Sequence, residues 1–131
     1  MAFPHEAGTI RQMNYSAKKI FLTCDEKPVR DWAAYMQAHT DEVIQSLSQE
    51  QVRHEVWYLG NQDGSLYLIG VLDVDDHALS SAIAQKSLLS VDKVHQQFKA
   101  HWDRASIVDL GVAPDRPPAF PGCELLLEAR S

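Results

Sequence analysis

The chain has 131 residues, 45% of them apolar, which is the size and composition of one globular domain with a single core. Its formal net charge is −6, from 18 acidic against 12 basic residues, so neither nucleic acid nor an anionic membrane surface is a fitting partner. No apolar run approaches the roughly 20 residues that span a bilayer, and two cysteines, Cys24 and Cys123, make no disulfide framework and lack the spacing of a metal site.

The N-terminus, Met1-Ala2-Phe3-Pro4-His5-Glu6, lacks the basic-then-apolar pattern of a signal peptide, so a cytoplasmic protein with two buried, inert thiols is expected. Residues 1–17 are polar and aperiodic and read as a flexible arm, leaving 18–131 as the folded domain. The apolar run Lys19 to Cys24 predicts a first strand. Asp25, Glu26 and Pro28 then suit the start of a helix. Trp32, Tyr35, Met36, His39, Val43 and Leu47 recur at spacings of three and four and predict one helix over 28–49.

Arg53 to Leu59 is rich in aromatic and β-branched residues and predicts a second strand. The cluster 60–65, containing Asp63-Gly64, predicts a hairpin into a third strand, Leu66 to Val74. Asp75 and Asp76 cap a helix with Leu79, Ala82 and Ile83 on its inner face. Ser87 to Ser90 interrupts it, and Ser90 caps a further helical stretch with Val91, Val94, Phe98 and Trp102 on one stripe. Residues 107–122 hold Pro114, Pro117, Pro118 and Pro121 and read as a long irregular segment. Cys123 to Ala129 predicts the last strand.

Strand, helix, strand, strand, helix, strand is the ferredoxin-like βαββαβ order, an α+β fold with a four-stranded antiparallel sheet. Strands one and three are expected at its centre, with 53–59 and 123–129 at its edges. Alternation places Ile20, Leu22, Leu66, Leu68, Leu72, Val74, Leu125 and Leu127 on one face. It places Phe21, Trp57, Leu59, Tyr67, Ile69, Val71 and Leu126 on the other. Two helices cover one face, and an exposed Phe, Trp, Ile and Val would forgo about 1.5–3 kcal/mol each. A second copy related by a two-fold axis is the expected cover, with the arm or the 107–122 segment as the alternative.

His95 is the first candidate for chemistry. It lies one helical turn after Asp92, which could fix its tautomer and raise its basicity as a general base requires. His39, on the buried helix stripe, and His54 and Tyr58, on one side of a strand, could converge with them and with Trp102 on a ligand pocket between helices and sheet. Each histidine also has a plain reading as a packing residue, and no tight metal-binding spacing is present. Glu55, Trp57, Tyr67 and Asp73 are expected on the opposite face. His5, His77 and His101 read as solvated. No phosphate-cradling loop or nucleophile motif appears, and no cofactor is expected.

Over residues 18–104 the chain resembles an uncharacterised bacterial family of the dimeric α/β-barrel superfamily. The resemblance is carried by DWAAYMQAHTDEVIQSL, by EVWYLGNQDGSLYLIGVLDVDD, and by SVDKVHQQFKAHWD, with Asp92, His95 and Phe98 fitting an Asp-x-x-His-x-x-Phe pattern and Glu55 an acidic position opening the second strand. It implies a ferredoxin-like subunit that forms a barrel dimer, and no reaction. The superfamily includes L-rhamnose mutarotases and antibiotic-biosynthesis monooxygenases. Residues 41–59 can be laid on the mutarotase helix-to-strand segment, yet Thr40-Asp41 stands where that pattern has Trp-Pro, and Met36 where it has histidine. Function is thus read two ways: a homodimeric small-molecule-binding protein or cofactor-free enzyme, or a non-catalytic interaction module.

Overall fold

A computed structural model describes residues 12–131; residues 1–11 of the expected 1–17 arm, His5 among them, lie outside the described residues. The elements in chain order are β1 (Tyr15–Phe21), α1 (Glu26–Ala38), α2 (Thr40–Gln49), β2 (Val52–Gln62), β3 (Ser65–Val74), α3 (His77–Lys86), α4 (Ser90–Phe98), β4 (Val108–Leu110) and β5 (Glu124–Arg130). The α+β class holds, but the antiparallel sheet has five strands in the order β4-β1-β3-β2-β5 rather than four. The added strand is the three-residue β4, which pairs with Ala17–Lys19 from inside the expected irregular segment. The last strand lies against β2, so β2 is an interior strand and not an edge, and the sheet is not the ferredoxin-like one expected.

The first strand also begins earlier than its apolar run. Tyr15 and Ala17 are buried, and Tyr15 donates its backbone N–H to the Pro114 carbonyl at 3.0 Å, so the end of the expected arm belongs to the sheet. The long expected helix is two. It breaks at His39, whose φ of −122° and ψ of 42° are not helical, and whose Nδ1 lies 2.7 Å from the Tyr35 carbonyl. Asp25 caps α1 by accepting from the Lys27 N–H, and Val29, Trp32, Ala33 and Met36 form its buried stripe.

The β2–β3 hairpin turns in two residues, Asp63 (φ 53°) and Gly64 (φ 90°), both in the left-handed region that a primed turn needs. That turn sets the register: Trp57 pairs with Gly70, Tyr58 with Ile69 and Val56 with Val71. Trp57 and Leu59 therefore face the helices with Ile20, Leu68 and Val74, not the open side as expected, and Leu126 joins them. His54, Val56 and Tyr58 take the opposite face with Tyr15, Ala17, Ile69 and Val71.

The open face is roofed within the chain. Val112, Phe120 and Cys123 pack on it, the Phe120 ring lying edge-on to Tyr58 at 5.5 Å and the Cys123 sulfur 3.5 Å from the Tyr67 hydroxyl. Val71 is fully buried and Ile69 and Val56 nearly so. Of the face expected to need a cover, Trp57 instead faces the helices, and the alternative cover, the 107–122 segment, packs on Ile69 and Val71 through Leu110, Val112 and Phe120. No described helix is long and apolar enough to cross a membrane.

Candidate functional site

Between the helical layer and the sheet lies a cavity of about 290 Å³. Its sheet wall carries Glu55, Trp57 and Gly70; its helical walls carry Trp32, Ser46, Glu50, Asp92, His95 and Lys99, with Trp102 just after the 3-10 turn that follows α4. Gly70 is required there. A Cβ on it would lie 2.7 Å from the Trp57 ring, so only glycine lets the indole lie across β3.

Two clamps one helical turn apart fix α4 against α2. Glu42 accepts from the Val91 N–H at 2.9 Å and from the Ser90 hydroxyl at 2.6 Å, capping α4 in place of a residue of its own. Those donors hold the Glu42 carboxyl below its ordinary range. Four residues on, the Ser46 hydroxyl lies 2.5 Å from Asp92 Oδ1 and 2.7 Å from Glu50 Oε2. One hydroxyl has one proton to give, so it cannot donate to two carboxylates. The consistent arrangement is a protonated Glu50 that donates to Ser46 Oγ, which in turn donates to Asp92. Burial pushes the Glu50 pKa up to about 7, which agrees.

Glu55 stands deeper, on the sheet. Burial pushes its pKa up to about 7, against the indole N–H of Trp57 that donates to it, and the charges of Glu50 and Asp92 push the same way. Opposite, the chain's three tryptophans converge on His95: the ring centroids of Trp57, Trp32 and Trp102 lie 5.6, 5.7 and 5.9 Å from the imidazole. Trp32 is held in turn by stacking on Phe98 at 4.6 Å. Burial, and secondarily the Lys99 ammonium, push the His95 pKa down to about 3. His95 is thus a neutral imidazole near pH 7, able to donate one hydrogen bond and accept another. Burial also lowers the Lys99 pKa.

Of the residues singled out in the sequence, the structure brings His95, Asp92 and Trp102 together in the cavity. The anticipated Asp92–His95 bond is replaced by Asp92–Ser46. His39 stands outside, stacked on Tyr35 at 4.0 Å at the α1–α2 junction. His54 and Tyr58 face the roof. His54 is 2% exposed, and its two nitrogens lie 2.6 Å from the Tyr15 hydroxyl and 2.7 Å from Glu128 Oε2. Because a carboxylate only accepts, Nε2–H donates to Glu128, and Nδ1 pairs with the Tyr15 hydroxyl. The sequence pattern does not single out Glu50, Ser46, Lys99 or Trp32 for the site, and the expected alternation puts Glu55 and Trp57 on the opposite face from the one they occupy. The Asp63-Gly64 turn carried the signal that would have placed them.

One protein family matches this chain, over residues 23–113, and it is described as a family of unknown function, DUF6176. The chain belongs to that family. The matched stretch runs from just before α1 through β4, so Trp32, Ser46, Glu50, Glu55, Trp57, Asp92, His95, Lys99 and Trp102 all lie inside it, whereas β5 and the end of the roof lie beyond it. No curated protein and no solved structure matches the chain.

Among the described residues no group of three or more His, Cys, Asp or Glu has the arrangement to hold a metal ion. What the cavity offers is a set of groups poised for proton transfer. Two carboxyls titrate near neutrality, a third accepts from a serine, and a neutral imidazole sits within aromatic walls.

Proposed function

We propose that the cavity binds a small polar molecule and moves a proton on it, with Glu55 as the group that gives or takes the proton. The observation that carries this reading is the placement of Glu55. A carboxyl set deep in a fold, beside two others and with room in front of it, is costly to keep unless it is used. A pKa near 7 lets one group act as acid and base at neutral pH, where general catalysis is most efficient. His95 supports the reading as a neutral hydrogen-bonding partner for the molecule, and the tryptophan faces supply apolar walls that exclude water.

The alternative, a packing module with no ligand, fits His39 and His54, both of which are used within the fold. It leaves a 290 Å³ space beside three carboxyls without a purpose. The test is ligand-observed NMR of the whole chain against a broad panel of small polar metabolites, repeated with Glu55→Gln and Asp92→Asn. The proposal expects at least one binder whose affinity falls about tenfold or more in either variant, as loss of a charge-assisted hydrogen bond implies. A panel without a binder, or binding indifferent to both substitutions, overturns it.

A further inference from the structure

We propose that the cavity takes a compact organic ammonium ion, specifically an amine that also carries an oxygen acceptor; this rests on the reading of the cavity as a small-molecule site. Three carboxyls from three elements face the space: Glu50 after α2, Glu55 on β2 and Asp92 on α4. Lys99 is the cation set among them, and it offsets one. Lys18 lines the rim with half its side chain in solvent and Asp109 4.0 Å away, and His77 there lies 3.2 Å from the Ser16 hydroxyl. The interior is therefore rich in acceptors and short of positive charge.

A second, independent observation points to a missing partner. Asp92 is 8% exposed, and its Oδ2 has no hydrogen-bond partner although Oδ1 is bonded to Ser46. An unsatisfied buried carboxylate oxygen is costly, and a donor on a ligand removes that cost. Two buried donors on cavity residues, the indole N–H groups of Trp32 and Trp102, are also without acceptors. Those donors call for an oxygen on the same ligand. The aromatic faces of the three tryptophans add attraction for a cation once it is desolvated. The raised proton affinities of Glu50 and Glu55 fit this chemistry, since a proton is the cation the pocket takes when nothing else is there. An ammonium ion would displace it, so binding should release protons and tighten as pH rises through about 7.

The test uses matched pairs that exchange an amine for a hydroxyl: D-glucosamine with D-glucose, 2-amino-1,3-propanediol with glycerol, and 4-aminobutanol with 1,4-butanediol. Each is titrated calorimetrically into the whole chain at about pH 6 and pH 8, in two buffers of different ionisation enthalpy so that proton release is read directly. The expected result is at least one amine that binds about tenfold more tightly than its hydroxyl twin at the higher pH. That preference should shrink at the lower pH and vanish in Glu55→Gln and in Asp92→Asn, with circular dichroism showing both variants folded. Hydroxyl twins that bind as well as the amines overturn the ammonium assignment and leave the small-molecule site standing. Amine binding that ignores both substitutions also overturns it, because the amine is then held elsewhere. If neither member of any pair binds while the metabolite panel yields another ligand, only the ligand class falls; if that panel is empty too, both readings fall.

Discussion

Glu55→Gln should make the protein's stability markedly less sensitive to pH. Glu55 has a folded-state pKa of about 7 against 4.5 in the unfolded chain, chiefly because burial disfavours its charge. The native state then binds the proton more tightly, so the associated stability is fully present below about pH 4.5 and is lost as pH rises through about 7. At 1.36 kcal/mol per pKa unit the shift corresponds to roughly 3 kcal/mol. The substituted amide keeps the shape of the carboxyl and has nothing to titrate. Glu50 titrates in the same window in both proteins, so the difference between them isolates Glu55. Removing the Glu55 charge also eases Glu50 slightly, which widens the gap in the same direction. Urea unfolding of both proteins, followed by far-UV circular dichroism at steps from about pH 4 to pH 8, measures the gap. It should move in favour of the variant by about 3 kcal/mol between the two ends. A gap that stays flat to within about 0.5 kcal/mol would refute the buried placement of Glu55, and a gap moving the other way would mean that Lys99 holds Glu55 ionised.

Gly70→Ala should drive Trp57 off β3 and into the cavity, because the new Cβ would meet its ring at 2.7 Å. A loss of about 1–3 kcal/mol in urea unfolding should accompany a shift in tryptophan fluorescence, and an unchanged emission spectrum would contradict the contact. Phe120→Ser should loosen the roof over Val56, Ile69 and Val71. The variant should bind a hydrophobic dye and gain mass in light scattering as the bared face seeks another cover. A variant indistinguishable from the parent by both measures would show that Phe120 is not what shelters that face.

Much of the architecture was legible, because the local physics was unopposed. The α1 stripe of Trp32 and Met36, the Asp76 cap and the break between α3 and α4 follow from spacing and capping chemistry and stand where expected, whereas the expected inner face of α3 does not, since Leu79 is exposed and Ser80 is buried, and Ser90 lies inside α4 instead of capping it. The errors have one main source. Treating residues 60–65 as a loose turn leaves the parity of β2 against β3 open, whereas a two-residue turn at Asp63-Gly64 pairs odd positions with even ones. Trp57 and Ile69 are both odd, so they cannot share a face. That single parity choice moved Glu55 and Trp57 out of the predicted pocket and put His54 and Tyr58 in. β4 was illegible for a different reason: three residues, Val108, Asp109 and Leu110, carry no periodicity, and they form a strand only because the edge of β1 offers unpaired backbone groups. The Tyr15-Ser16-Ala17 start of β1 is similarly muted. Its partners, Pro114 and the buried Asp73, are supplied by distant chain.

The interior position of β2 ties the two faces of the sheet together. Its alternate residues serve two separate compartments: Glu55 and Trp57 enter the cavity, while His54 and Tyr58 enter the space beneath the roof. Each set is anchored independently. On the roof side His54 is gripped between Tyr15 of β1 and Glu128 of β5, so one ring spans three strands. On the cavity side Trp57 lies across Gly70. A slip of β2 by one residue would drive His54 into the carboxyl cluster and Glu55 beneath the apolar roof, breaking both anchors at once. The Tyr15–His54–Glu128 chain, anchored on the buried His54, therefore does for the cavity what no residue inside the cavity can do. It holds the strand that carries Glu55 in the one register that presents a carboxyl, and not an imidazole, to the cavity.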